Sequence, residues 1–297
     1  MAKKITHVGG IVGAGSLITK ELRKRGYDAN AYVTAPSRFF DLRVVSKQKL
    51  YLELLTSDVV HFHGRWKEAP FLISPKKIVW HYHGDELRES RKMIPHERGA
   101  LFLASTPDLV AGGYFYDKKP DEIKGKVKLF PNPIDTESFK PIAPPRNEVP
   151  LLLHSPENSN RILQKGTATI EKYLGELKER GYKFEYKTYD VKHTEMPNLF
   201  SKADIILDQV ISGTAGHVGF EAIAMGKPVM CEIRWTKEWL HNEDLFFGLK
   251  DIPDLLVDEK YRFSKAKRGI EYVSKYHAPE VVVDRLLDEY RSAKLID

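Results

Sequence analysis

The chain has 297 residues and a mass of 34.1 kDa, enough for two domains of ~150 residues. With 42% apolar and 30% charged residues it can fill a core and is not globally disordered, and no run reaches the ~18–20 apolar residues of a transmembrane helix. The net charge of +6 is concentrated at the front: residues 1–50 hold ten Lys or Arg against three acids, a balance of +7, so the other 247 residues sum to −1.

Short apolar runs bounded by Gly, Pro, Ser or Asp predict strands at 5–10 (ITHVGG), 27–33 (YDANAYV), 58–64 (DVVHFHG), 77–84 (KIVWHYHG), 100–106 (ALFLAST) and 127–132 (VKLFPN). A helix is predicted over 16–26 (SLITKELRKRG). Residues 130–150 carry Pro131, Pro133, Pro141, Pro144, Pro145 and Pro150, which suits a stiff connector. Beyond it the alternation restarts, with strands at 150–156 (PLLLHSP), 183–190 (KFEYKTYD), 203–209 (ADIILDQ) and 227–233 (KPVMCEI). In 166–181, Ile170, Tyr173, Leu174 and Leu177 fall on one helix face, and Gly181 stops it. A short helix is predicted at FEAIAMG (220–226), and two more where Phe263, Ala266, Ile270, Val273 and Val283, Leu286, Leu287, Tyr290 repeat the helical period. Strands alternating with helices imply parallel sheets flanked by helices. The economical architecture is α/β, two Rossmann-like domains facing a central cleft: 1–140, 141–278, and a C-terminal helix in 279–297 packing back on the first.

In open parallel sheets ligands bind beyond the carboxyl ends of the strands, and four loops there stand out. GGIVGAGS (9–16), with Gly10 and Gly13, precedes a helix and reads as a phosphate or acceptor loop, a tight turn, or a loose dinucleotide fingerprint. The glycine spacing, and the lack of an acid at the end of AYVTAP, weigh against the last. VWHYHGDELR (79–88) puts His81 and His83 on one strand face, where His83 orients a polar substrate or both are structural. His61 and His63 repeat this layout, lining or supporting the same edge. With no third ligand in the spacing, no metal site is expected. HSPENSNRILQKGT (154–167) carries Arg161 and Lys165 toward a helix start, an anion site suited to a diphosphate, or simply exposed loop cations. DQVISGTAGHVGFEAIAMGKPV (208–229) runs from Asp208 through a glycine loop into a helix with Glu221 in its first turn. That carboxylate can accept from a ribose diol, or merely complement the helix dipole.

The basic front suits a lipid headgroup surface, a phosphorylated acceptor or nucleic acid, or is a solvated helix face around Lys20, Arg23, Lys24 and Arg25. No nucleic-acid-binding motif accompanies it, which disfavours that partner. Cys231, the single cysteine, excludes an internal disulfide, and with MAKKITHVGG lacking a secretion signal it fits a cytoplasmic setting.

The last two motifs resemble the nucleotide-sugar-binding half of retaining glycosyltransferases with the GT-B fold, of the family-4 (group 1) type. PNLFSKADIILDQ (197–209) strengthens the match, FPNPIDTESFKP (130–141) is similar to the interdomain connector, and HYHGDELR (81–88) to an N-domain His-Gly-Asp segment. The resemblance implies that Arg161 and Lys165 stabilise a diphosphate leaving group and that Glu221 binds the donor ribose. It further implies that Gly216, His217 and Val218 bring backbone amides to the phosphates or sugar, that His83 approaches the sugar, and that the Gly9–Ser16 loop borders the acceptor. This sequence departs from the pattern at Gly213, eight before Glu221, where the family carries a second Glu; Asp208 is a candidate replacement.

The expectation is therefore a metal-independent retaining glycosyltransferase without a resident cofactor, using a nucleoside-diphosphate sugar as donor. Its acceptor is a hydroxyl on a lipid-linked molecule or glycan, with peripheral contact to an anionic membrane through the basic front. A nucleotide-sugar epimerase, a DNA-modifying glucosyltransferase and a non-catalytic nucleotide-sugar-binding module remain open.

Overall fold

The computed structural model describes residues 2–9, 13–36, 43–64, 73–83, 98–105, 127–156, 165–234, 240–241 and 243–297. Two compact units divide the chain: Met1–Pro133 with Tyr276–Asp297, and Ile134–Lys275. Gly10, Arg161 and the 84–88 end of the His-Gly-Asp segment lie outside the described residues.

The first unit is built from β1 (Lys4–Val8), α1 (Ala14–Lys24), β2 (Asp28–Tyr32), α2 (Lys47–Thr56), β3 (Val59–His63), β4 (Ile78–Tyr82), β5 (Leu101–Ala104) and β6 (Val127–Leu129). These strands form one parallel sheet in the order β2-β1-β3-β4-β5-β6. Every residue of β3, β4 and β5 is buried, as expected of central parallel strands covered on both faces. The register sets His7 beside His61 and His63 beside His81, so four histidines share one face. The opposite face carries Val8, Val60, Phe62, Trp80, Tyr82 and Phe102 against Leu50 and Leu54 of α2.

The second unit comprises β7 (Leu151–His154), α3 (Thr167–Glu179), β8 (Glu185–Thr188), α4 (Met196–Lys202), β9 (Ile205–Leu207), α5 (His217–Ala224), β10 (Val229–Met230), α6 (Ile252–Val257), α7 (Glu259–Arg262) and α8 (Ala266–Tyr276). Its sheet is parallel in the order β10-β9-β7-β8. Ile170, Leu174 and Leu177 of α3 pack with Leu152, Ile205, Leu207 and Met230 of the sheet. Nine of these ten strands fall within a run marked by the sequence, and β1 begins one residue ahead of its run. The proline-rich stretch 130–150 contains neither helix nor strand.

The chain then returns to the first unit as α9 (Pro279–Ser292), opened by a proline at its first turn, where the missing N–H costs nothing. Val282, Val283, Leu286, Leu287 and Tyr290 pack with Ile18 and Leu22 of α1 and with Ile5, Val59 and Val79 of the sheet. Each fully buried aliphatic there contributes ~1.5–3 kcal/mol. Arg25 ties α1 to α9 through Asp284 at 2.8 Å. Part of the basic excess is answered internally: Lys4 pairs with Glu53, and Lys24 and Arg25 pair with Glu21. Among the described residues, no helix is long and apolar enough to cross a membrane.

Candidate functional site

From β7 the second sheet grows to β8 on one side and β9 on the other, so the order reverses between β7 and β9. Ligands of open α/β sheets bind beyond the carboxyl ends of strands at such a reversal. There His154 staples the strands: its Nδ1–H donates to the Leu207 carbonyl (2.8 Å), and its Nε2 accepts from the Thr167 hydroxyl at the start of α3 (2.9 Å). Gly166, with φ +75°, caps α3 so closely under the next loop that a Cβ would lie 2.4 Å from Val210 Cγ2. The Val210 N–H donates to the Lys165 carbonyl (2.9 Å), fixing the backbone that carries the lysine.

This packing brings Lys165 Nζ to 3.7 Å from Asp208 Oδ1, with the two side chains 6% and 0% exposed. Asp208 Oδ2 accepts the Gly216 N–H at 2.7 Å, at the start of α5. A Cβ on Gly219 would lie 2.7 Å from the same oxygen, so a glycine there leaves the carboxylate its place. Asp208, the candidate sugar contact, is thus wholly buried and faces the lysine and the helix start. Gly216, His217 and Val218 form the half-buried opening turn of that helix. Gly213 has φ +74°, a left-handed conformation that disfavours the side chain expected at this position in the resembled family.

Glu221 sits in the second turn of α5, not the first, because the helix starts at His217 rather than at the apolar run. It therefore does not serve the helix start. Its Oε1 accepts from His193 Nε2 at 2.5 Å and His217 Nε2 at 3.2 Å, and the side chain is 1% exposed. Burial alone would raise its pKa, but the two imidazoles overturn this and hold it at about 2. Burial works against protonation of His193, but the hydrogen bond and charge of Glu221, with Asp135 adding to them, raise its pKa above the ordinary value. His193 sits in a single 3-10 turn, His193–Glu195, and only the fold brings it to Glu221.

In the first unit Gly9 (φ +111°) passes so near β3 that a Cβ would lie 2.3 Å from the His63 carbonyl oxygen, and one on Gly15 would lie 3.2 Å from the His63 ring. Gly13 takes φ +66° at the start of α1. Glycine in this loop thus has packing reasons of its own. His83 is half-buried, its Nδ1 2.8 Å from Asn132 Oδ1 and 3.1 Å from Ser105 Oγ, its Nε2 2.9 Å from His63 Nδ1. His63 Nε2 lies 3.0 Å from His7 Nδ1, giving a row of three linked imidazoles. Burial pulls the His7 pKa down to about 3 and those of His61, His63 and His81 well below the ordinary range. His7 supplies the third ring that sequence spacing did not.

No family model and no curated protein sequence matches the chain. Among solved structures it is similar to sucrose-phosphate synthase from Thermosynechococcus elongatus, at 13% identity over 98% of each chain with a TM-score of 0.60. It is also similar to the catalytic domain of starch synthase IV from Arabidopsis thaliana bound to ADP and acarbose (11% identity, 99% of each chain, TM-score 0.58). A third likeness is to an S. aureus MnaA–UDP co-structure (15% identity, 100% of this chain and 98% of that one, TM-score 0.56). At such identities the likeness shows the fold, which is GT-B.

Proposed function

We propose that the chain is a retaining glycosyltransferase of the family-4 type that moves a sugar from a nucleoside-diphosphate donor to a hydroxyl acceptor. The observation that carries this reading is the convergence of Lys165, Asp208 and the start of α5 at the reversal point of the second sheet, with Glu221 one turn further along. Neighbours of the same fold bound to UDP or ADP support it.

In this reading Lys165, Arg161 and the first N–H groups of α5 take up the charge that grows on the departing diphosphate. Such contacts accelerate transfer because they strengthen as the bond breaks. They supply the charge that a metal supplies in other transferases. Asp208 positions Lys165 and the Gly216 amide. Glu221, kept ionised by its two histidines, accepts from the ribose diol once the His217 ring moves aside. The leaving phosphate helps deprotonate the acceptor on the same face, so no protein nucleophile is called on. The membrane-side acceptor is supported by α2, which exposes Leu52 (62%) and Leu55 (55%) near Lys47 and Lys49.

The test is a panel of nucleoside-diphosphate sugars scored by thermal stabilisation and nucleotide release. Lys165→Ala should lose ~2–4 kcal/mol of transition-state stabilisation; full donor affinity in both Lys165→Ala and Glu221→Ala would refute the site. A second reading, a nucleotide-sugar epimerase, draws on His193, whose proton affinity is raised by the adjacent Glu221 and so suits acid–base chemistry. Isomer formed from donor without acceptor would favour it.

A further inference from the structure

The histidines of β1 and β3 form a second centre of chemistry, independent of the sugar-transfer reading. His61 and His63 stack with ring centroids 4.5 Å apart and planes 2° from parallel, and His7 lies 4.8 Å from His61. One ring nitrogen from each of His7, His61 and His63 lies within 4.8 Å of the other two. His7 and His63 stand toward the carboxyl ends of β1 and β3, where the first sheet reverses its order, with His61 one turn of the pleat below.

The hydrogen bonds show which ring nitrogens have partners. A neutral imidazole has one donor and one acceptor. With Asn132 Oδ1 accepting from His83 Nδ1–H, the His83 Nε2 accepts from His63 Nδ1–H, and His63 Nε2 accepts from His7 Nδ1–H. That leaves a lone pair, not a proton, on His7 Nε2. His61 Nδ1 is paired with the Tyr290 hydroxyl at 2.6 Å, and His61 Nε2 has no hydrogen-bond partner. Both Nε2 atoms are buried without a hydrogen-bond partner, in rings that are 0% exposed. Unpaired buried nitrogens are costly and few in native cores.

We propose that His7, His61 and His63 bind a zinc-class divalent cation. The donors are all imidazole nitrogens, which suit zinc, cobalt and nickel and not the oxygen-seeking magnesium or calcium. His7 Nε2 and His61 Nε2 are the two ligands already unengaged. His63 is the third nitrogen in range, exchanging its bond to His7 for the metal, and a solvent molecule completes the tetrahedron. Metal–nitrogen bonds of ~2.0–2.1 Å require the His61 and His63 rings to tilt out of their parallel stack so that their lone pairs converge on the ion. Tyr290 holds the orientation of the His61 ring through Nδ1, as second-sphere partners of metal-bound histidines do.

The full chain, stripped with EDTA and returned to metal-free buffer, is titrated with Co²⁺ and separately with Zn²⁺. Visible absorption, native mass spectrometry and thermal midpoint are recorded. One equivalent per chain, the absorption of tetrahedral cobalt and a raised midpoint with both ions are expected. His7→Gln and His61→Gln should abolish the cobalt band. Tyr290→Phe, which keeps the packing, should weaken binding by about 10–100-fold. No stoichiometric uptake by the wild-type chain overturns the proposal, whatever the variants do. So does a band that survives His7→Gln and His61→Gln but is lost in His193→Gln, which would place the ion beside Glu221.

Discussion

Replacing Glu221 by Gln keeps its shape and removes its charge. The folded state holds the carboxyl at about 2 against an ordinary 4.5. That difference makes the ionised form worth ~3 kcal/mol of stability at neutral pH. Because the folded value is depressed, the contribution is complete above about pH 4.5 and is lost as pH falls toward 2. Glu221→Gln should therefore cost ~3 kcal/mol at pH 7, and roughly half that at pH 3, where the group is still ionised in the folded chain but already protonated in the unfolded one. The partner responds in the opposite sense. His193 is raised by Glu221, so its share of stability is present below the ordinary histidine value and fades as pH climbs through the folded one. Urea unfolding at the two pH values gives the first quantity, and NMR titration of the His193 ring gives the second, which should drop on substitution. A cost under ~1 kcal/mol together with an unmoved His193 titration would refute the coupling.

Three other outcomes follow from the packing. Arg262 reaches Asp204 at 3.1 Å while donating to the carbonyls of Leu255 and Leu256, all buried; Arg262→Ala should cost ~3–5 kcal/mol in urea unfolding, since it removes the buried cation from Asp204 Oδ1 and the donor from both carbonyls, while Asn147 and Leu151 still serve Oδ2. Gly166→Ala meets both a left-handed φ and Val210 at 2.4 Å, so it should lower the thermal midpoint and weaken donor binding together; an unchanged midpoint would contradict the geometry. Leu52→Asp with Leu55→Asp should reduce flotation with anionic vesicles without shifting the unfolding midpoint, because both side chains are exposed.

The central strands are legible because buried parallel strands are nearly continuous apolar runs, as in IVWHY and LFLA, while the edge strands β2 and β8 are marked by their flanking turns rather than by apolar content. Helix α2 is not, since Leu50 and Leu54 turn inward with Tyr51 beside them while Leu52 and Leu55 face out, which blurs the period. Lys165 and Asp208 could be nominated one by one from their loops, but their pairing depends on β7 and β9 lying side by side. His7 and His193 carry no local signal. Each is a single histidine in an ordinary stretch, and each acquires partners from 56 and 28 residues away. Residue spacing records what neighbours in sequence can do, and these groups are assembled by sheet order instead.

The first unit is closed by residues 276–297, which are translated after the whole of the second. On the ribosome the order of completion is thus inverted. Residues 134–275 can reach their final packing while the apolar flank of Ile5, Ile18 and Leu22 still awaits its cover. A nascent chain halted before α9 would carry that greasy flank bare, an obvious handle for a chaperone.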